Sequence, residues 1–188
     1  MEIVINQKMF SIVDKYQIFI DGRQTHTAST KFFCIPSKTN LFEVGCDVPK
    51  YVIKKKWDFT VSFELIKWDN NVFKFRTMEK EYWKKLHFYC QVGQDIYEVF
   101  GHRGRKFSVY KNDTQIAWWD KNAVVLFNGD IYKIIADKDC DHELIISFCL
   151  IIDKTFSNNK SGATLTIDHG SVRGKTVKDF DLEWRPKH

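Results

Sequence analysis

The sequence predicts a mainly β protein built as an antiparallel meander, on three observations. Polar and apolar residues alternate at period two through most of the chain, as they do in half-buried strands. Turn signals return every eight to twelve residues or so over its middle. Aromatic residues are abundant, with 16 Phe, seven Tyr and six Trp in 188 residues, whereas Pro is held to three, and that balance favours strands.

In chain order, "KYQIFID" (15–21) places Tyr second and Ile fourth ahead of a turn. "IYEVFGH" (96–102) and "IYKIIAD" (131–137) repeat that order with Val or Ile, which suggests repeated strand units in one sheet system. In "DFTVSFELIKW", Phe59, Val61, Phe63 and Leu65 share one face, and Thr60, Ser62 and Glu64 the other. In "WKKLHFYCQV", Leu86, Phe88, Cys90 and Val92 alternate with Lys85, His87, Tyr89 and Gln91, while the preceding "MEKEYW" reads as the start of a short helix. Beyond it, Gly93-Gln94-Asp95, Gly101-His102-Arg103-Gly104, Asn112-Asp113, Lys121-Asn122 and Asn128-Gly129-Asp130 mark turns. They separate "IYEVFG", "RKFSVYK", "TQIAWWD", "AVVLF" and "IYKIIAD", and the Asn-Gly and Gly-rich turns supply the positive φ that tight hairpins need.

One segment breaks the pattern. In "DCDHELIISFCLIID" (139–153), the residues from Leu144 to Ile152 carry no charge and one hydroxyl, Ser147. The run is far shorter than the roughly 20 apolar residues that span a bilayer, so it belongs inside the protein. Asp139, Asp141 and Glu143 stand where a helix N-terminus prefers negative charge, and Lys154 follows near the other end. Periodicity alone leaves a buried helix and a core strand equally open. A meander that closes on itself makes a barrel, and a helix apolar all round would fill the middle of one.

The hairpin order, "GHRGRKFSVYKNDTQIA", the strand pair around "NGDIYKI" and the acid-led apolar segment ending in Ile-Asp together resemble the tubby C-terminal-like superfamily, which includes LURP-one-related proteins and phospholipid scramblases. The resemblance covers roughly residues 10 to 156 and is clearest from 96 to 153. It implies a closed antiparallel barrel of about twelve strands around a central apolar helix. That helix would lie near 141–154, with Leu144, Ile145, Ile146, Phe148, Cys149, Leu150, Ile151 and Ile152 in the core. Residues 1–156 would then be the barrel domain. Residues 157–188 depart from the family as a polar tail packing on the barrel, its end held by Phe180 and Trp184.

Composition narrows the partners. With 29 basic and 24 acidic residues the net charge is +5, which permits contact with an anionic surface but falls short of the dense basic stripe of a nucleic-acid binder. The five cysteines, at 34, 46, 90, 140 and 149, form no C-x-x-C pair and read as reduced thiols of a cytoplasmic protein. The opening "MEIVINQKMFSIVDKYQ" has an acid at position 2 and too broken an apolar pattern for a signal peptide.

No catalytic constellation emerges, so the expectation is a non-enzymatic protein without cofactor or metal. "DKDCD" (137–141) imitates a calcium loop, but its sixth and twelfth positions would be His142 and Phe148 instead of Gly and Glu, and helix capping explains the acids. Cys140 and His142 sit too close for a usual zinc framework, and His26, His87, His102, His169 and His188 supply no second ligand-spaced pair. "DHGS" (168–171) sets Asp, His and Ser side by side, where strand neighbours point to opposite faces. "RGRKFSVY" (103–110) partly matches an RNA-recognition strand, but Arg105 replaces the stacking aromatic.

What remains are basic clusters next to tryptophan. Lys54, Lys55 and Lys56 precede Trp57, Lys84 and Lys85 follow Trp83, and Arg103, Arg105 and Lys106 share a turn. Such groups suit an anionic headgroup surface, although solvated loops that discourage edge pairing are the plainer reading of them. The resemblance implies lipid contact, since tubby domains bind phosphoinositides and scramblases act on phospholipids. The expected partner is thus anionic membrane lipid, met peripherally from the cytoplasm. The alternative is a soluble barrel that binds a protein or a small ligand.

Overall fold

The structure is a computed structural model, and it describes residues 1–10, 13–31, 37–56, 62–77, 86–102, 106–120, 131–157 and 178–187. Its strands are β1 (Glu2–Phe10), β2 (Val13–Ile20), β3 (Arg23–Lys31), β4 (Lys38–Glu43), β5 (Tyr51–Lys55), β6 (Ser62–Lys67), β7 (Val72–Thr77), β8 (His87–Val92), β9 (Asp95–His102), β10 (Lys106–Lys111), β11 (Thr114–Asp120) and β12 (Ile131–Ala136). Each pairs antiparallel with its sequence neighbours, and β1 closes the barrel on β12 through the register Glu2↔Ile135 to Asn6↔Ile131. Closure leaves no open sheet edge. The expected barrel of about twelve strands is the one observed.

The period-two pattern sets which face is buried. In β6 Phe63 and Leu65 are buried while Glu64 faces outward, and in β8 Phe88 and Cys90 are buried while His87 and Tyr89 are not. The repeated Tyr-x-Ile/Val motif falls on β2, β9 and β12, and its tyrosines, Tyr16, Tyr97 and Tyr132, all turn inward. Asn112 and Asp113 join β10 to β11 at φ +47° and +65°, a left-handed pair that Asn and Asp tolerate. Gly101 departs from expectation, because it and His102 continue β9 instead of turning. A Cβ at Gly101 would lie 2.6 Å from Leu86 Cβ, so glycine is needed there for close approach. The expected strand "AVVLF", the helix start "MEKEYW" and "DHGS" lie outside the described residues.

Inside the barrel runs a helix, α1 (His142–Ser157), and every residue from Leu144 to Ile152 is at most 3% exposed. All eight apolar residues expected of the core helix are therefore in the core, and the helix extends three residues beyond the expected end at 154. Asp141 caps it, its Oδ1 accepting the Leu144 N–H at 2.9 Å. Phe148 stacks on Phe75 at 4.9 Å and meets Tyr97 edge-on at 6.0 Å, pinning the middle of the helix to β7 and β9.

Strand alternation gives the barrel two ends. At the upper end, where the helix begins, β2 ends at Ile20, β4 at Glu43 and β6 at Lys67, and Asp141 receives the Tyr51 hydroxyl at 3.4 Å. At the lower end lie Lys38, Lys55, Ser62, Thr77, His87, His102 and Lys106, each the first or last residue of its strand. Residues 178–187 form no helix or strand and lie against β9–β11. There Phe180 meets Trp118 and His102 edge-on, Trp184 Nε1 donates to the Gln115 carbonyl at 3.0 Å, and the Lys187 N–H donates to Asp137 Oδ1 at 2.6 Å.

Candidate anionic-surface site

The outer face of β4–β7 collects cations by register. Lys38 on β4 pairs with Lys54 on β5, Lys54 with Glu64 on β6, and Glu64 with Lys74 on β7, one row across four strands. Residues opposed in this way point to the same face of a sheet, here the outside. Lys56, just past the end of β5, holds Glu64 at 3.1 Å, and Arg76 lies two residues along β7 from Lys74. Five cations thus share this part of the outer face with one carboxylate, Glu64, among the described residues. Lys38, Lys55, Lys56, Lys74 and Arg76 are exposed, and Lys54 is half-buried between its neighbours.

Beside this row an open groove of about 450 Å³ lies on β7 and β8, lined by Phe73, Lys74, Arg76, Tyr89 and Gln91 with Val72 and Gly93. Arg76 sits 5.9 Å from the Tyr89 ring, so the groove joins two cations to an aromatic floor. That pairing sets positive charge beside apolar ring surface. Sequence reasoning missed Lys74 and Arg76, because two charges in "VFKFRT" look like the solvent face of any strand.

Of the residues proposed from sequence, Lys54, Lys55 and Lys56 belong to this wall or its rim. Lys106 opens β10 on a different part of the lower rim, five strands from β5, with its ammonium 5.2 Å above the Phe180 ring. Trp57, Lys84, Lys85, Arg103 and Arg105 lie outside the described residues. The strand ends that flank them, Lys55 and Ser62, Thr77 and His87, His102 and Lys106, all belong to the lower end. Phe107 and Tyr110 of the RNA-like motif are buried, Phe107 stacked on Trp119 at 5.3 Å and Tyr110 beneath Lys178 at 3.7 Å. Neither offers a face to a base.

Toward the lower end the barrel interior holds a buried polar group. Asp153 accepts hydrogen bonds from the Tyr16 and Tyr132 hydroxyls, with Gln7 behind Tyr16. Burial, and next the Asp153 charge, hold the Tyr16 hydroxyl well above the ordinary phenol range. Burial brings the Lys154 ammonium down to about 8. On the outer wall His102 Nε2 and Ser108 Oγ lie 2.6 Å apart, and burial drops the imidazole to about 4 despite Asp179 nearby.

The upper end gathers acids around the helix start. Glu43 holds Lys50 at 2.9 Å, and burial followed by the Asp141 charge raises the Tyr51 hydroxyl. His26, on β3, faces the first helical turn, with Nε2 3.4 Å from Glu143 Oε1 and its ring 5.7 Å from that of His142. His26 and Glu143 are 117 residues apart, so no local spacing announces this meeting.

No described helix is long and apolar enough to cross a membrane. A family model described as LURP-one-related matches residues 1–153. Neither a curated protein nor a solved structure matches the chain.

Proposed function

The chain belongs to the LURP-one-related family, and from that premise we propose that it is a non-enzymatic module that binds anionic phospholipid or phosphoinositide headgroups at the cytoplasmic face of a membrane. The observation that carries this reading is the outward cationic row Lys38, Lys54, Lys74 with Lys56 and Arg76 beside it, on a face shared with Glu64. Near a charged leaflet each such cation contributes about 1 kcal/mol, so several acting together are needed. The groove at Arg76 and Tyr89 receives one headgroup while the rim lysines meet the surrounding charge.

The barrel interior supports a surface role over a ligand held inside, because the helix residues Leu144 to Ile152 fill it. Peripheral attachment follows from charge and a few aromatics. Sedimentation of the full chain with phosphatidylserine or phosphoinositide vesicles, compared with phosphatidylcholine alone, tests the proposal. Binding should require the anionic lipid and weaken steeply as salt rises. A chain that stays in the supernatant with every vesicle at low salt would leave a soluble protein-binding barrel as the reading.

A further inference from the structure

We propose that His26, His142 and Glu143 form a divalent-metal site, zinc first, that staples the start of α1 to β3. The donor atoms of the three side chains lie within 4.8 Å of one another. Two imidazoles and a carboxylate are an established zinc donor set, with a fourth position left for water.

The geometry is compatible with co-ligation. His26 Nε2 and Glu143 Oε1 are 3.4 Å apart, longer than the 2.7–2.9 Å or so of a charge-assisted hydrogen bond. Two donors on one tetrahedral zinc, at about 2.0–2.1 Å each, stand roughly 3.3 Å apart. Two imidazoles on such an ion place their ring centres about 5 to 6 Å apart, and those of His26 and His142 are at 5.7 Å.

The local backbone is arranged for it. Between β2 and β3 the register runs Ile18↔His26 and then Phe19↔Gln24, so Thr25 is the extra residue of a bulge. Bulges re-aim side chains, and this one sets Thr25 Oγ1 2.9 Å from His26 Nδ1. That contact takes up Nδ1 and leaves Nε2 pointing to the site, the outer-shell bond that ligating histidines use. His26 is 4% exposed, so the surrounding packing holds its ring in this orientation. His142 and Glu143 are half-buried, so an ion can enter.

The helix N-terminus opposes a cation at this place. Asp141 caps that terminus and Glu43 adds negative charge nearby, against Lys50 and Lys67.

Cobalt(II) titration of the metal-stripped full chain reads the site directly. We expect the visible bands of tetrahedral cobalt at one equivalent, their loss on adding zinc, and a higher melting temperature with zinc. His142→Gln should weaken zinc binding at least tenfold, and Thr25→Val by about tenfold, while both melt like the metal-free parent. His142→Gln keeps the test decisive if His26→Gln fails to fold. Absence of tetrahedral bands, a sulfur-to-cobalt charge-transfer band from the exposed Cys46, or equal zinc affinity in His142→Gln would each overturn the site.

Discussion

His102 shows how one side chain ties stability to pH. It is 3% exposed, lies against Ser108 and Phe180, and burial lowers its imidazole to about 4. Below the ordinary histidine value of about 6.5 the unfolded chain takes up a proton that the folded chain refuses, so stability is full above that pH and falls as pH drops toward 4. The loss should reach roughly 2 to 3 kcal/mol. Urea unfolding between pH 7 and 4.5 should show a shallower fall for His102→Gln than for the parent, and parallel curves would contradict the assignment. Cys149 makes the opposite case. Its thiol is 1% exposed among apolar neighbours, so it serves packing, and Cys149→Ser should lower stability modestly with vesicle binding unchanged. Loss of binding at unchanged stability would mean that the thiol has a function.

The helix is the element on which the fold turns. Its nine-residue apolar stretch reads equally as helix or strand from local pattern, because burial on all sides erases the period that would tell them apart. Family likeness selected the helix, and the acids before it were legible as a cap for a physical reason, since Asp141 accepts the Leu144 N–H. Asp141→Ala should cost about 1 kcal/mol in chemical unfolding. An unchanged midpoint would mean the cap contributes nothing. Ile146→Asp or Leu150→Asp should abolish folding, since each sets an unpaired charge where the present side chain is at most 1% exposed. A soluble, cooperatively melting variant would refute the central position of α1. Strands were easier to read, because outward polar residues such as Glu64 and Tyr89 preserve the alternation. Gly101 misled as a turn signal, since its role is the approach of Leu86 and not a positive φ.

At the scale of the whole molecule, charge is sorted by the closed meander. Lys38, Lys54 and Lys74 are separated in sequence by 16 and then 20 residues, yet the register sets them in one row. The sequence therefore disclosed the consecutive Lys54-Lys55-Lys56 and hid Lys38, Lys74 and Arg76, whose meaning depends on which strands are neighbours. His26, His142 and Glu143 were hidden for the same reason, being joined only when the helix enters the barrel. The central claim is that the cationic wall meets an anionic membrane, and its most direct test replaces Lys54, Lys55 and Lys56 together with Gln. Three lost cations at about 1 kcal/mol each should weaken binding to phosphatidylserine vesicles roughly a hundredfold at low salt. The melting temperature should move little, because Lys55 and Lys56 are exposed, Lys54 is only half-buried, and a surface ion pair such as Lys56–Glu64 contributes little to stability. Vesicle affinity equal to that of the parent, at the same melting temperature, would contradict the account.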